Sequence, residues 1–181
     1  AENSRLSALE ITKTNKYTLL GFEDTLEVID STSGKTINKL TKICKKGVLK
    51  IVVSKYGNYF ATIFGDLKVV LWDGTELEPH KKFTLNAKTT KIVYAGFNHN
   101  ETTLYVVTNN EIVVLKTKAE HKDKESEVER MAVKDREIEG ACYIEPLNAI
   151  LLADDHNFIS IMSTKKFERE NLTQKSAAVN C

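Results

Sequence analysis

The stretch GDLKVVLWDG, from Gly65 to Gly74, contains the only tryptophan of this 181-residue chain. A run of apolar residues lies between turn-forming residues, and the stretch ends in the pair Trp72-Asp73 before its last glycine. Val, Leu and Trp favour strands, whereas Gly and Asp favour turns. The stretch therefore predicts a short β-strand, and the fold depends on whether this strand occurs once or is repeated.

Three other segments of the chain resemble this strand. They are TLEVID at 25–30, EIVVLK at 111–116 and FISIMS at 158–163. The aligned positions recur every 43 to 47 residues, and they are Ile29, Trp72, Leu115 and Met162. Self-similarity at such a period is typical of repeat architectures.

Each copy lies within a predicted unit of four strands. Two strands joined by a short turn precede the copy, and a weaker fourth strand follows it. The predicted units are 6–40, 47–85, 89–133 and 138–170. Their strands are rich in Val, Ile, Leu, Tyr and Phe, and their turns carry Asn, Asp and Gly, so local composition supports the division.

Residues 116–137 are the exception to this pattern, because they are mostly charged and have little apolar stripe before Val128. A helix is the competing interpretation of this segment. We interpret 116–137 as a solvated, charged insertion loop between the third and fourth strands of the third unit. The segment EVERMAV at 127–133 is the best candidate for that fourth strand.

Antiparallel strands at this period, with Trp-Asp ending a third strand, resemble the WD40 family of β-propellers. In that family each repeat forms one radial four-stranded sheet, called a blade. The resemblance covers nearly the whole chain, although only Trp72-Asp73 keeps the signature pair. It implies an all-β fold of four blades that is part of a larger propeller. The alternatives are a closed four-bladed ring and an open set that a partner completes.

The resemblance also implies that a family hydrogen-bond network is incomplete here. In the family, an Asp in the turn before the third strand joins a His, a Ser or Thr and the Trp. Asp66 matches that Asp, but no unit has the Gly-His pair that supplies the His. Glu23, Asn109 and His156 occupy the positions that correspond to Asp66. We therefore expect that the network cannot form in its usual shape and that apolar burial holds the blades together.

The sequence offers no catalytic or metal-binding constellation. The four histidines lie in predicted turns or in the charged segment, without ligand spacing, and the three cysteines lie far apart. The acid pairs Glu23-Asp24 and Asp154-Asp155 fall in tight turns, where such residues bond the backbone. We therefore expect no catalytic residue, no metal and no cofactor, and a protein that is not an enzyme.

Basic residues cluster near the predicted links between blades. In the family, that link lies on the same face as the turn before the third strand. The resemblance therefore implies that one face carries the candidate interaction residues, which are Lys45, Lys46, Asp66, Lys88, Asn109 and His156. A basic rim of this kind attracts an acidic peptide or an RNA backbone. The whole chain has 26 basic and 25 acidic residues, which argues against a broad nucleic-acid surface.

The function implied is a protein-interaction scaffold, a WD40-like subunit of a multiprotein complex whose partners are other protein subunits. One alternative is a non-catalytic subunit of an RNA-processing or ribosome-biogenesis particle, with RNA contacted through the basic links. Another is the propeller of a vesicle-tethering or coat subunit. No apolar run reaches 18 residues, so we expect no membrane span. An intracellular location follows, cytoplasmic or nuclear, and nucleolar under the ribosome-biogenesis alternative. The chain starts without Met, which favours a piece of a longer protein.

Overall fold

The computed structural model describes residues 5–41, 46–118, 128–133, 136–164 and 169–171. Within these ranges the strands form four antiparallel four-stranded sheets. The first sheet contains β1 (Ala8–Ile11), β2 (Tyr17–Gly21), β3 (Thr25–Asp30) and β4 (Thr36–Thr41). The second contains β5 (Val48–Val53), β6 (Tyr59–Phe64), β7 (Lys68–Asp73) and β8 (Pro79–Thr84). The third contains β9 (Ile92–Phe97), β10 (Thr103–Thr108), β11 (Glu111–Lys116) and β12 (Val128–Ala132).

The fourth sheet contains β13 (Ile138–Ile144), β14 (Ala149–Asp154), β15 (Ile159–Ser163) and β16 (Arg169–Asn171). In every sheet the strands pair in chain order, so each sheet is a simple meander. The repeated strand of the sequence is the third strand of each sheet, as in a propeller blade. The prediction of an all-β fold built from four-stranded blades is confirmed.

The predicted insertion is described only in part. Of residues 116–137, the structure describes 116–118, 128–133 and 136–137. Residues Val128–Ala132 form β12, which pairs antiparallel with β11 and places Val128 opposite Leu115. The segment EVERMAV thus contains the fourth strand of the third blade, and residues 128–132 are not helical.

Burial differs between inner and edge strands in a way that explains the sequence pattern. The middle strands β6, β7, β10 and β11 are buried on both faces, and they are nearly continuous apolar runs. The edge strands β4 and β8 have exposed residues at every second position. β4 and β8 look weak in the sequence because only one face of each is partly covered.

The chain divides into two compact units, residues 1–87 and 88–181. In the first unit, side chains of the first two blades form one apolar core. Leu19, Leu26 and Val28 come from the first blade, whereas Phe60 and Trp72 come from the second. The rings of Phe60 and Trp72 stack with their centroids 5.6 Å apart. The Trp72 stretch therefore belongs to the contact between two neighbouring blades.

The second unit repeats this arrangement with different residues. Tyr105, Val107 and Ile112 of the third blade share a core with Ile150 and Met162 of the fourth. Met162 corresponds to Trp72 in the sequence alignment, and it is fully buried. In the fourth blade a sulphur-containing side chain thus fills the position of the signature tryptophan.

Candidate interaction site at the blade turns

In the first unit, the chain that enters β5 packs directly on the turn before β7. The Gly65 amide donates to the Gly47 carbonyl at 2.9 Å. A Cβ atom on Gly65 would lie 2.4 Å from the Lys46 carbonyl oxygen, so this contact requires glycine. The exposed Lys46 is thereby brought next to the turn that contains Asp66. Lys45 lies outside the described residues.

Asp66 is engaged within its own turn. One carboxylate oxygen accepts a hydrogen bond from the Lys68 amide at 3.3 Å, and the other pairs with the Lys68 ammonium at 3.0 Å. Asp66 therefore takes part in closing the turn before the third strand. Its role in an interaction with a partner stays a prediction.

One hydrogen bond of the family network is present in the second blade. The Trp72 indole Nε1 donates to Thr62 Oγ1 at 2.9 Å, and both residues are buried. The pair joins adjacent strands of one blade, because Thr62 lies on β6 and Trp72 on β7. The expectation that the network cannot form in its usual shape therefore needs refinement, since the tryptophan–hydroxyl bond is present without a Gly-His pair.

In the third blade, Asn109 connects the turn before β11 to the segment before β9. Its side-chain oxygen Oδ1 accepts hydrogen bonds from the Thr90 amide at 3.1 Å and the Lys91 amide at 3.4 Å. The side chain is almost completely buried, with 3% of Asn109 exposed. Asn109 thus ties the segment before β9 to the turn before β11.

In the fourth blade, an ion pair makes the corresponding connection. Arg136 donates from Nη1 to Asp154 Oδ2 at 3.1 Å, and the Asp154 side chain is fully buried. Asp154 Oδ1 accepts from the amides of His156 and Phe158 at 3.1 and 3.0 Å. The Arg136 guanidinium also lies over the Phe158 ring, 4.2 Å from its centroid. The ion pair therefore holds both ends of this turn.

The electrostatics of Asp154 follow from these contacts. Burial is the largest single influence and raises the pKa of Asp154. The hydrogen bonds from Phe158, Arg136 and His156 together outweigh burial, so the pKa lies below its ordinary value of 3.8. Asp154 is therefore ionised at neutral pH. The sequence analysis did not single out Arg136. Its charge and its position, two residues before the first strand of the blade, could have indicated an ion pair with a turn acid.

The second unit has an open cleft at these turns, with a volume of about 380 Å³. We call it the turn cleft. It is lined by Lys88, Thr90, Asn109, Asn110, Val133, Arg136, Glu137 and Asp155. The structure thus brings two of the predicted residues, Lys88 and Asn109, to one site. His156 lies at the edge of this region, with its Nδ1 3.0 Å from Asp155 Oδ1.

The other predicted residues are not placed relative to this cleft. Lys46 and Asp66 belong to the first unit, whereas Lys88, Asn109 and His156 belong to the second. Each unit is a compact body by itself, so the prediction that all of them share one face stays a prediction.

The side chains of Asp154, Asp155 and His156 place possible metal ligands within 4.8 Å of one another. Hydrogen bonds already occupy both Asp154 oxygens. Asp155 Oδ1 accepts from the Glu137 amide at 3.2 Å and also contacts His156. These side chains close a turn, so their proximity has a structural explanation that needs no metal.

The blades and their turn contacts define a class of protein: the chain has the fold of the WD40 β-propeller domains. The RRP9 WD40 repeats and the U3-55K structure both superimpose with a TM-score of 0.70 at 12% identity. The Cps50 (Swd1) β-propeller domain of Myceliophteria thermophila gives 0.72 at 13% identity. No family model matches the sequence, and neither does any curated protein.

The alignments cover 94–95% of this chain but only 52–56% of those structures. The chain thus spans about half the length of the propellers that it matches. Within the described ranges, no helix has the length and apolar character that crossing a membrane requires.

Proposed function

We propose that this chain is a non-enzymatic scaffold, a propeller segment that holds other protein subunits in a complex. The proposal rests on what the polar side chains of the turns bond to. Their hydrogen bonds either close a turn or connect a turn to the segment that begins its blade. Asp30, Asp73, Asn98, Asn109 and Asp154 all accept hydrogen bonds from backbone amides. Such turns form a rigid surface suited to recognition.

The acids in these turns are poor candidates for proton transfer. A general acid or base works best with a pKa near the operating pH. The backbone bond from Ser33 is the largest influence on Asp30 and lowers its pKa. The pKa of Asp154 is also lowered. Both carboxylates therefore act as structural acceptors, which supports a binding protein over an enzyme.

The turn cleft favours a protein partner over a nucleic acid. Lys88 and Arg136 bring positive charge, but Glu137 and Asp155 line the same cleft. The buried carboxylate of Asp154 further offsets the charge of Arg136. A phosphate backbone needs a concentrated positive surface, which these opposed charges do not provide.

The proposal is tested by affinity capture of the full-length parent protein from cell extract. The extract is split into nuclease-treated and untreated halves, and partners are identified by mass spectrometry. The control bait carries Gly74→Val, because a Cβ atom there would lie 2.0 Å from the Gly57 carbonyl oxygen and disrupt the blade. Partners that need the folded propeller are absent from this control.

We expect the same protein set in both halves, with members missing from the Gly74→Val capture. A set that disperses after nuclease treatment would contradict the proposal in favour of the RNA-processing alternative. A capture no different from that of the control bait would contradict the scaffold function itself.

A further inference from the structure

Two turns of the first unit carry exposed lysines and lie side by side. One is TKTNKY at 12–17, which leads from β1 into β2, and the other is SKYGNY at 54–59, which leads from β5 into β6. A Cβ atom on Gly57 would lie 3.7 Å from Thr14 Cγ2, which is an ordinary van der Waals distance. The turns of the two neighbouring blades therefore meet, and we call the surface that they form the lysine turns.

Both turns are closed by the same hydrogen bonds, although their sequences differ. In the first turn, the Thr12 amide donates to the Tyr17 carbonyl at 2.9 Å, and the Tyr17 amide donates to Thr12 Oγ1 at 3.0 Å. In the second turn, Ser54 and Tyr59 form the same two bonds, both at 3.0 Å. The main chain that carries the exposed side chains is thus fixed in advance, which lowers the entropy cost of binding.

The exposed side chains of the lysine turns are basic, aromatic or neutral. Lys13, Lys16 and Lys55 are exposed, and Tyr56 is 54% exposed. Neither turn contains an acidic residue. This composition differs from that of the turn cleft, where carboxylates lie beside the basic groups. Positive charge that is concentrated in this way attracts a polyanion.

The nearest acidic residues belong to the turns that follow β3 and β7. These turns adjoin the lysine turns, because an amide of each donates to a lysine-turn carbonyl, at 3.0 and 2.8 Å. Asp30 and Asp73 begin them, and each carboxylate accepts two backbone amides of its own turn. Glu76 and Glu78 lie further along the second turn, toward the edge strand β8. Negative charge therefore lies beside the lysine turns and not within them.

We propose that the lysine turns bind single-stranded nucleic acid. The lysine ammonium groups contact phosphates and the Tyr56 ring stacks on a base, which is how proteins hold single strands without reading their sequence. Thr14 and Asn15 are exposed in the same turns, and such side chains hydrogen-bond to phosphate and sugar. Acidic side chains of a protein would match the charge but offer no π-face to the exposed ring. This inference goes beyond the proposed scaffold function and does not depend on it.

The test measures the fluorescence anisotropy of labelled decauridylate and decathymidylate with the 181-residue chain, between about 50 and 200 mM salt. Three lysine–phosphate contacts predict that the logarithm of the affinity falls with the logarithm of the salt concentration with a slope of about −2. The charge variant replaces Lys13 and Lys55 by Glu, and the ring variant is Tyr56→Leu. The matched control replaces Lys35 and Lys82 by Glu, because these exposed lysines lie at the edge strands of the same two blades.

We expect the charge variant to lose at least tenfold in affinity and to show a flatter salt slope. Tyr56→Leu is expected to lose at least fivefold with an unchanged slope, because stacking neutralises no phosphate. The control, which changes the net charge equally, should change the affinity less than threefold. The substituted side chains are exposed, so each variant is expected to keep its fold, which thermal denaturation checks.

A lack of saturable binding to both oligonucleotides, or equal losses in the charge variant and the control, would overturn the inference. An unchanged affinity in Tyr56→Leu would also overturn it, and a decaglutamate peptide that displaces the oligonucleotide would then reassign the surface to acidic protein segments. These outcomes are separate from the capture experiment, because a scaffold without this site still yields a nuclease-resistant set of partners.

Discussion

A single buried hydrogen bond connects the Trp72 indole to the neighbouring strand of its blade. Replacing Thr62 by Val keeps the side-chain shape but leaves the indole N–H without its acceptor. An unsatisfied buried donor costs about 1–3 kcal/mol. We expect Thr62→Val to lower the free energy of unfolding by that amount, measured by urea denaturation.

Trp72 is the only tryptophan, so its fluorescence follows this site directly. The control is Thr36→Val, made at an exposed position of the edge strand β4. It is expected to change the free energy of unfolding by less than about 0.5 kcal/mol. Equal effects of the two substitutions would show that the indole bond contributes nothing specific to stability.

The Arg136–Asp154 pair predicts an acid-sensitive contribution to stability. The pKa of Asp154 is lower in the folded chain than its ordinary value of 3.8, so the unfolded chain binds more protons in acid. Ionised Asp154 therefore stabilises the fold above pH 3.8, and this contribution is lost as the pH falls through the folded pKa. We expect Asp154→Asn to flatten the decline of unfolding free energy below pH 3.8.

The measurement is a series of urea denaturation curves between about pH 2 and pH 6. Part of the decline is expected to persist in the variant, because the pKa of Asp30 is lowered as well. The control is Asp155→Asn, at the neighbouring exposed acid. An unchanged slope in Asp154→Asn would show that the ion pair does not govern the acid response.

At the scale of the element, both glycines of GDLKVVLWDG are required by backbone contacts. A Cβ atom on Gly74 would lie 2.0 Å from the Gly57 carbonyl oxygen, and main chain cannot move aside as a flexible side chain can. The Gly74 amide also donates to the Asn58 carbonyl at 2.8 Å, which fixes this approach. We expect Gly74→Ala to destabilise the chain by about 1–3 kcal/mol or more, measured by thermal denaturation.

The control for Gly74→Ala is Gly140→Ala in β13. There the added Cβ atom would meet only the Ala153 Cβ, at the ordinary contact distance of 3.6 Å. We expect a change of less than about 1 kcal/mol for that substitution. A Gly74→Ala variant as stable as the wild type would show that the main chain at Gly57, in the turn before β6, moves aside at little cost in free energy.

The strands and turns could be predicted because their signals are local. Asp30 and Asp73 both end a third strand, and each accepts two amides of the following turn. Turn residues and apolar runs of this kind can be recognised from a few consecutive residues of the sequence. The contacts that tie each blade to its inner turn could not be predicted, because they join residues 18 or 19 positions apart. Only the folded sheet brings Arg136 to Asp154.

The Asn109 site illustrates the same limit. Its turn position was predicted from the repeat, but its burial and its bonds to the Thr90 and Lys91 amides depend on the segment before β9. The repeat predicts the position of a residue within the blade, but it does not predict which residues it contacts. Blade-specific contacts, such as those of Arg136 or of Asn109 at the position of the family Asp, therefore cannot be predicted from the family pattern.

At the scale of the molecule, the first blade has an apolar face that its own unit does not cover. Leu9 is 55% exposed and Ile11 44% exposed on β1. Strand pairing makes Leu9 equivalent to Ile51 of the second blade, because they lie opposite Leu20 and Thr62 respectively. Ile51 is only 5% exposed, within the core that the two blades share. The face with Leu9 is therefore built to receive another blade.

This exposed face predicts how the 181-residue chain behaves alone. We expect it to bind the dye ANS and to self-associate with rising concentration, measured by sedimentation velocity, because apolar burial drives blade packing. Replacing Leu9 and Ile11 together by Thr keeps the strand propensity of β1 and should remove most of both effects.

The control replaces Tyr56 and Leu147, which are similarly exposed and lie in separate units, by Thr. A wild-type chain that stays monomeric without binding dye would contradict this assignment and favour a ring closed by four blades. Loss of both effects only in the Leu9 and Ile11 variant would identify this face as the place where further blades pack.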